Sequence, residues 1–161
     1  MASQFPRAVF DCNIYLQALV NPQGAAGRCK QLLDDGKIEV FVSAAVLSEV
    51  AEVLTRPVVQ RLAPALTRAA VQAFIDSIRH QAIFLVNVPE DFHYARDPKD
   101  EPYINLAVVA GAAYLVSRDN DLLDLMTAKN AAAQSFRMRF PLLKILNAPA
   151  FLQALRESAL A

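Results

Sequence analysis

Several features are scarce in this 161-residue chain, and each scarcity excludes something. Only two cysteines occur, Cys12 and Cys29, and they form no CxxC pair. That is too few for a disulfide framework, so a reducing compartment with both thiols free is expected. Excess charge is absent: 16 basic and 16 acidic residues give a formal net charge of +0. No global positive field therefore recruits nucleic acid, and such a partner needs a local basic rim or bridging cations. No apolar run reaches the roughly 18–20 residues needed to cross a bilayer, so no membrane partner is expected. The longest run, "INLAVVAGAAYLV", has charges on both sides. The opening "MASQFPRAVFD" lacks the basic and long apolar regions of a secretory signal, which makes a cytoplasmic location the expectation. Repeats, low-complexity tracts and linkers are missing as well.

What is plentiful is apolar side chain: 55% of residues are hydrophobic against 20% charged, the balance of a globular protein. The length predicts a single domain over residues 1–161 that buries roughly two thirds of its unfolded surface. Short β-like runs alternate with helical patterns. "RAVFD", "IEVFVS", "IFLVNV" and "YLVS" read as strands, with "LLKIL" as a candidate fifth. "IYLQALV" and "AAGRCKQLLDD" read as helices, the second stopped at Gly36. Ser43 and Thr67 suit the N-caps of "AAVLSEVAEVLTR", which Pro57 ends, and "RAAVQAFIDSIRHQ". "PYINLAVVAGAA" is apolar nearly all round, hence a buried helix, and a closing helix is expected from Ala150 to Leu160.

Alternation of this kind predicts an α/β fold: a three-layer α/β/α sandwich around a parallel sheet of four to five strands. Right-handed crossovers then bring every strand's C-terminal end to one edge, where open α/β sheets place their sites. Asp11 follows the first strand directly. Glu49 borders the apolar stripe of the helix after the second strand, while Glu52 lies near its opposite face. "RDPKDEPYINLA" carries Asp97, Asp100 and Glu101 in five residues before the buried helix. Pro98 keeps Asp97 extended as a turn residue, and Pro102 marks the first helical position, leaving Asp100 and Glu101 at the helix's positive end. "LVSRDND" puts Ser117, Asp119 and Asp121 just past the fourth strand, with Asp119 or Asp121 capping "LLDLM".

Each acid has an ordinary explanation as a cap, a turn or a solvated face. Together, four crossovers each deliver a carboxylate to one edge: Asp11, Glu49, Asp100 or Glu101, and Asp119. Such carboxylates repel by about 4 kcal/mol per pair at roughly 4 Å in an effective dielectric near 20. They persist when protonated or bridged by cations. An oxygen-only set suits Mg²⁺ or Mn²⁺ over zinc, ions that activate water in phosphodiester cleavage.

"VFDCNIYLQAL", "VSAAVLSEVAEVL", "RDPKDEPYINLAVVAGAAYLVSRDNDLL" and "ILNAPAFLQAL" resemble, in that order, the PIN domain, and in particular its toxin-like bacterial branch related to VapC-type toxins. The likeness runs from residue 7 to about residue 156. It implies strand order 3-2-1-4-5 and a Mg²⁺- or Mn²⁺-dependent ribonuclease at an acidic pocket. Carried over, the resemblance assigns catalysis to Asp11, Glu49, Asp100 and Asp119, and metal to Asp11, Asp100 and Asp119. Asn13, Ser117, Asp121 and Glu101 are supporting residues. Pro102 leaves two candidates for the third ligand, Asp100 and Glu101, of which Asp100 is preferred. Lys129, Arg137 and Arg139, in a segment longer than the family pattern suggests, are candidates for an RNA path or ordinary surface charges. Implied partners are RNA, a small antitoxin protein that masks the pocket, and a second copy in a homodimer. The alternative reading is a catalytically weak PIN-like domain that only binds RNA or protein. A haloacid-dehalogenase-type phosphotransferase fits less well, because Asn13 stands where that chemistry wants a second aspartate.

Overall fold

A computed structural model describes residues 3–159. Five short strands, β1 (Arg7–Phe10), β2 (Glu39–Val42), β3 (Ile83–Phe84), β4 (Tyr114–Val116) and β5 (Lys144–Leu146), form one sheet in the order β3-β2-β1-β4-β5. All neighbours are parallel, with Ala8 beside Val40 and Tyr114, and Leu115 beside Ile145. Helices flank both faces in the expected α/β/α sandwich. They are α1 (Cys12–Val20), α2 (Ala25–Asp34), α3 (Ala44–Leu54), α4 (Pro57–Leu62), α5 (Arg68–Gln81), α6 (Glu101–Ala110), α7 (Asn120–Thr127), α8 (Ala131–Arg139) and α9 (Ala148–Ala159).

The central strands are buried on both faces, so Ala8, Val9, Phe10, Val40, Val42, Leu115 and Val116 are wholly apolar and inaccessible. Phe10 anchors one face. It meets Tyr15 of α1 and Phe151 of α9, with ring centroids 5.8 and 6.0 Å away. α6 crosses β1, β2 and β4. Its C-terminus is closed by Gly111, whose φ of +60° is a left-handed conformation that a side chain would strain. Ser43 and Thr67 cap α3 and α5 as expected, accepting from the amides of Val46 and Ala70.

Five differences from the sequence reading are seen. The third strand stops after two paired residues rather than continuing to Val88: it lies at the sheet's edge, and Asn87 turns the chain with φ of +55°. Pro57 does not merely end α3. It opens α4 as its first residue, where a missing N–H costs nothing. α6 is not covered all round, since Val108 and Val109 are 40% and 48% exposed. The long segment after "DLL" folds as α8, a helix with a weakly apolar sequence. The closing helix starts two residues early, at Ala148, while Leu160 lies outside the described residues.

Phe151 ties α9 to β1 and β4, with Tyr114 5.2 Å from it. Phe151→Ala should lower stability by about 3–5 kcal/mol, read as a fall in denaturation midpoint. A loss below about 1 kcal/mol would show that α9 is not part of the central core.

Candidate metal centre

The C-terminal ends of β1 and β4 lie side by side, and each leads at once into an acid. Asp11 caps α1 with extended backbone, and its amide donates to Val116 O at 2.9 Å, which fixes it to the sheet. Asp119 caps α7, its Oδ1 accepting from the Asp121 amide at 2.9 Å. Ser117 joins the two. Its fully buried hydroxyl donates to Asp11 Oδ2 at 2.6 Å and accepts from the Asp119 amide at 2.9 Å.

The third contribution comes from the turn before α6. Asp97 is extended and accepts from the Lys99 amide at 3.0 Å, a local turn bond. Pro98–Asp100 then form one 3₁₀ turn that runs into α6. This turn carries both Asp97 and Asp100 towards the β4 edge. One carboxylate oxygen from each of Asp97, Asp100, Asp119 and Asp121 lies within 4.8 Å of all the others.

Asp100 is 5% exposed, and its Oδ2 is buried with no hydrogen-bond partner. Burial, followed by the charges of Asp119, Asp97, Asp11 and Asp121, pushes its carboxyl up to about 8. Asp11 is raised too. Burial dominates there; hydrogen bonds from Ser117 and Cys12 oppose it, and the Asp119 charge adds to it. An orphaned buried oxygen facing three other carboxylates, with an oxygen-only donor set, fits a hard divalent cation.

The placement of the expected residues is uneven. Asp100, Asp119 and Asp121 are brought together, and Asp97, read from sequence as a turn residue, joins them. Asp11 is outside that group of four and reaches it through Ser117. Glu49 is half-buried on α3, where its Oε1 accepts from the Cys12 thiol at 3.4 Å. Asn13 sits half-buried in the first turn of α1. Glu101 turns away from the acids. Its Oε1 accepts from the Tyr94 amide at 2.7 Å. One turn on, buried Asn105 accepts from the Phe92 amide at 2.8 Å and donates to Phe92 O at 3.2 Å. The two α6 side chains thus clamp a strap of chain, residues 91–96, beside the centre. Tyr94 adds a bond from its hydroxyl to Asp121 O at 2.7 Å, and Arg96 pairs with Asp121 and, at 2.9 Å, with Asp124.

The strap was not legible as part of the site. Its signal was the spacing of Glu101 and Asn105, one turn apart on an otherwise apolar helix.

The sequence pattern of the PIN domain family matches residues 7–121, from the first strand to the last acid of the cluster. The chain belongs to the PIN domain family. An uncharacterized protein of Methanocaldococcus jannaschii is 26% identical over 120 residues, covering 74% of each chain. PIN domains are generally nucleases that use divalent metals and act on nucleic acid, and the four-carboxylate cluster agrees with that activity. Among the described residues no helix is long and apolar enough to cross a membrane. Of the basic residues considered for an RNA path, Arg137 is committed elsewhere: its guanidinium donates to the carbonyls of Leu125 and Ala128 at 2.8 and 2.9 Å, closing the end of α7.

The PIN centre makes its own stability pH-dependent. Asp100 rises from 3.8 unfolded to about 8 folded, so the metal-free folded state binds the extra proton between those values. Stability without metal should therefore fall as pH rises from about 4 to 8. Asp100→Asn should weaken this dependence, part of which stays with the raised Asp11, and stabilise metal-free protein at pH 8 by at least about 1.4 kcal/mol, while losing stabilisation by Mn²⁺. Thermal melts with and without chelator read both effects; an unchanged pH slope would contradict the burial of this carboxylate.

The clamp gives a separate expectation. Asn105→Ala should cost about 1–3 kcal/mol. It should also speed amide exchange at Phe92 and Tyr94 more than in the sheet, and uniform loss of protection would count against a local clamp.

Proposed function

We propose that this protein is a metal-dependent endoribonuclease that hydrolyses RNA phosphodiesters at the acidic centre, and that it acts as the toxin component of a toxin–antitoxin pair. The observation that carries the nuclease reading is the buried, unpartnered Oδ2 of Asp100 within a group of four carboxylates. Asp100 and Asp119, with Asp97 and Asp121 beside them, would hold Mg²⁺ or Mn²⁺. Asp11 is the further metal-binding candidate, oriented by Ser117. When bound, such an ion supplies Lewis acidity and lowers the pKa of water.

The chain's own groups do the rest. Ser117 donates to Asp11 Oδ2, which orients that carboxylate, and fixes the Asp119 amide. Glu49 has one carboxylate oxygen engaged by Cys12 and serves to orient water at the α3 side of the pocket. Asn13, on the same turn of α1 as Cys12, is the polar companion of Asp11. Glu101 is assigned to holding the strap, and Asp100 to the metal.

RNA as the nucleic acid, and the toxin role, rest on the resemblance of the motifs to the VapC-related branch. An antitoxin is expected to cover the pocket with a basic side chain, since a guanidinium can take the place of the cation's charge. The homodimer and the cytoplasmic location stand as parts of the same reading; both cysteines are free and buried, which suits a reducing compartment. The whole of residues 1–161 is taken as one domain, because β5 and α9 complete the sheet and core that the matched residues begin.

Cleavage of RNA should require Mg²⁺ or Mn²⁺ and leave 5′-phosphate and 3′-hydroxyl ends. Asp11→Ala and Asp119→Asn should each reduce the rate at least about 100-fold, more than loss of a residue that merely supports a metal ligand. Equal cleavage by wild type and both variants would remove the reaction from this site.

A further inference from the structure

A second concave surface begins where the acidic centre ends. It is an open groove of about 570 Å³ between the 91–96 strap and the α7–α8 pair, within the size range of small-ligand sites. Phe92, His93 and Arg96 line one side; Ala132, Ser135 and Arg139 line the other. Arg96 is common to both sites, because its guanidinium pairs with Asp121 of the acid group while its side chain borders the groove. α8 lies beyond the residues that match the family pattern.

The groove is rigid. Phe92 packs against Phe136 and Phe140 with centroids 5.5 and 5.9 Å apart, and those two rings are 5.2 Å from each other. Asn105 holds Phe92 from behind. A strap fixed on both sides keeps its shape when a ligand arrives, which limits the ordering cost of binding.

Its lining combines rings and cations with two acids, Asp91 and Asp124. His93 has 76% of its side chain exposed, and its Nδ1 lies 3.6 Å from Glu101 Oε2, which anchors one edge of the ring and leaves the rest open. Alanine opposite leaves room for a flat group. The guanidinium of Arg139 lies over the Phe140 ring at 5.0 Å, an exposed cation held in place by an aromatic face. The charge of Arg96 is already met by Asp121 and Asp124, so Arg139 is the cation positioned for an incoming anion. With zero net charge and an acidic centre that repels phosphates, a substrate strand needs such a cation close by.

We propose that this groove seats one unpaired nucleotide of the RNA strand beside the cleavage point, its base against Phe92 and His93 and its phosphate on Arg139. The proposal rests on the RNA reading above. It makes the strap and α8 a recognition element for single-stranded substrate, because only an unpaired base is free to enter and stack.

The test uses full-length protein and a degenerate 12-nucleotide RNA containing 4-thiouridine. The Asp119→Asn variant slows cutting, so that binding is read on intact strand. Photo-crosslinks should fall on residues 91–96 and 128–139. Ala132→Trp, an exposed position that fills the groove, should weaken RNA binding at least tenfold in the Asp119→Asn background. In otherwise wild-type protein it should leave Mn²⁺ affinity, measured by calorimetry, unchanged. Arg139→Ala should reduce the slope of log affinity against log salt by about 0.7, the value for one single-strand phosphate contact. Melting curves check that the variants fold; should Ala132→Trp fail to fold, the crosslinks and Arg139→Ala decide. Crosslinks confined to other surfaces, or undiminished RNA affinity and an unchanged salt slope in folded variants, would overturn the groove while leaving the RNA reading intact. No RNA binding by the Asp119→Asn parent would overturn both.

Discussion

Mutual repulsion among Asp97, Asp100, Asp119 and Asp121 is the constraint around which the molecule is arranged. Each pair of charges at such separations costs on the order of 4 kcal/mol at an effective dielectric near 20, and Asp100 adds the desolvation of a carboxylate oxygen that meets no donor. A chain free to relax would turn these side chains outward. It cannot, because three stiff connections hold them. Ser117 ties the Asp119 amide to Asp11 and so to the sheet; the α7 cap joins Asp119 to the Asp121 amide; the 3₁₀ turn between Pro98 and α6 fixes Asp97 and Asp100 together. Part of the repulsion is met within the chain: Arg96 neutralises Asp121, and protonation relieves Asp100. What is left is a group of carboxylates suited to a cation, held together by a fold whose stability comes from elsewhere.

That elsewhere is the apolar sheet and the helices on it. Parallel strands buried on both faces form only when crossovers cover them, and the same crossovers bring the strand ends to one edge. Fold and site are therefore consequences of one topology. Ser117 shows the economy of the arrangement: one buried hydroxyl links Asp11 on β1's end to Asp119 on β4's end. Glu49 stands a layer further out, joined to the centre through Cys12.

The legible parts of the sequence were those where local pattern and tertiary role agree. Alternating apolar runs gave the sheet, Ser43 and Thr67 gave helix starts, and acids following apolar strands pointed to the edge. Asp97 is the turn residue that the sequence predicts, and it is also a member of the cluster: a turn acid and a clustered acid carry the same local signal. Glu101 and Asp100 are adjacent acids at one helix start, and no local rule separates them. Their fates are set by the strap, whose Tyr94 amide takes Glu101. The strap has no periodicity, so its position follows only from partners distant in sequence. α8 was missed for a related reason, since its alanine-rich sequence shows little of an amphipathic stripe and its packing depends on Phe136 meeting Phe92.

The strap and α8 thus depend on each other and on the centre in a particular order. α6 supplies both Asp100 and the clamp, so the helix that places the deepest carboxylate also places the strap beside it. The strap in turn supplies Arg96 to Asp121 and Phe92 to α8. A change at the α6 clamp therefore reaches the acids by way of Arg96 and reaches the outer groove by way of Phe92, through rigid packed contacts rather than through flexible chain. The placement of Asp100 and the shape of the surface beside it are coupled through a single helix, which begins within the segment "RDPKDEPYINLA".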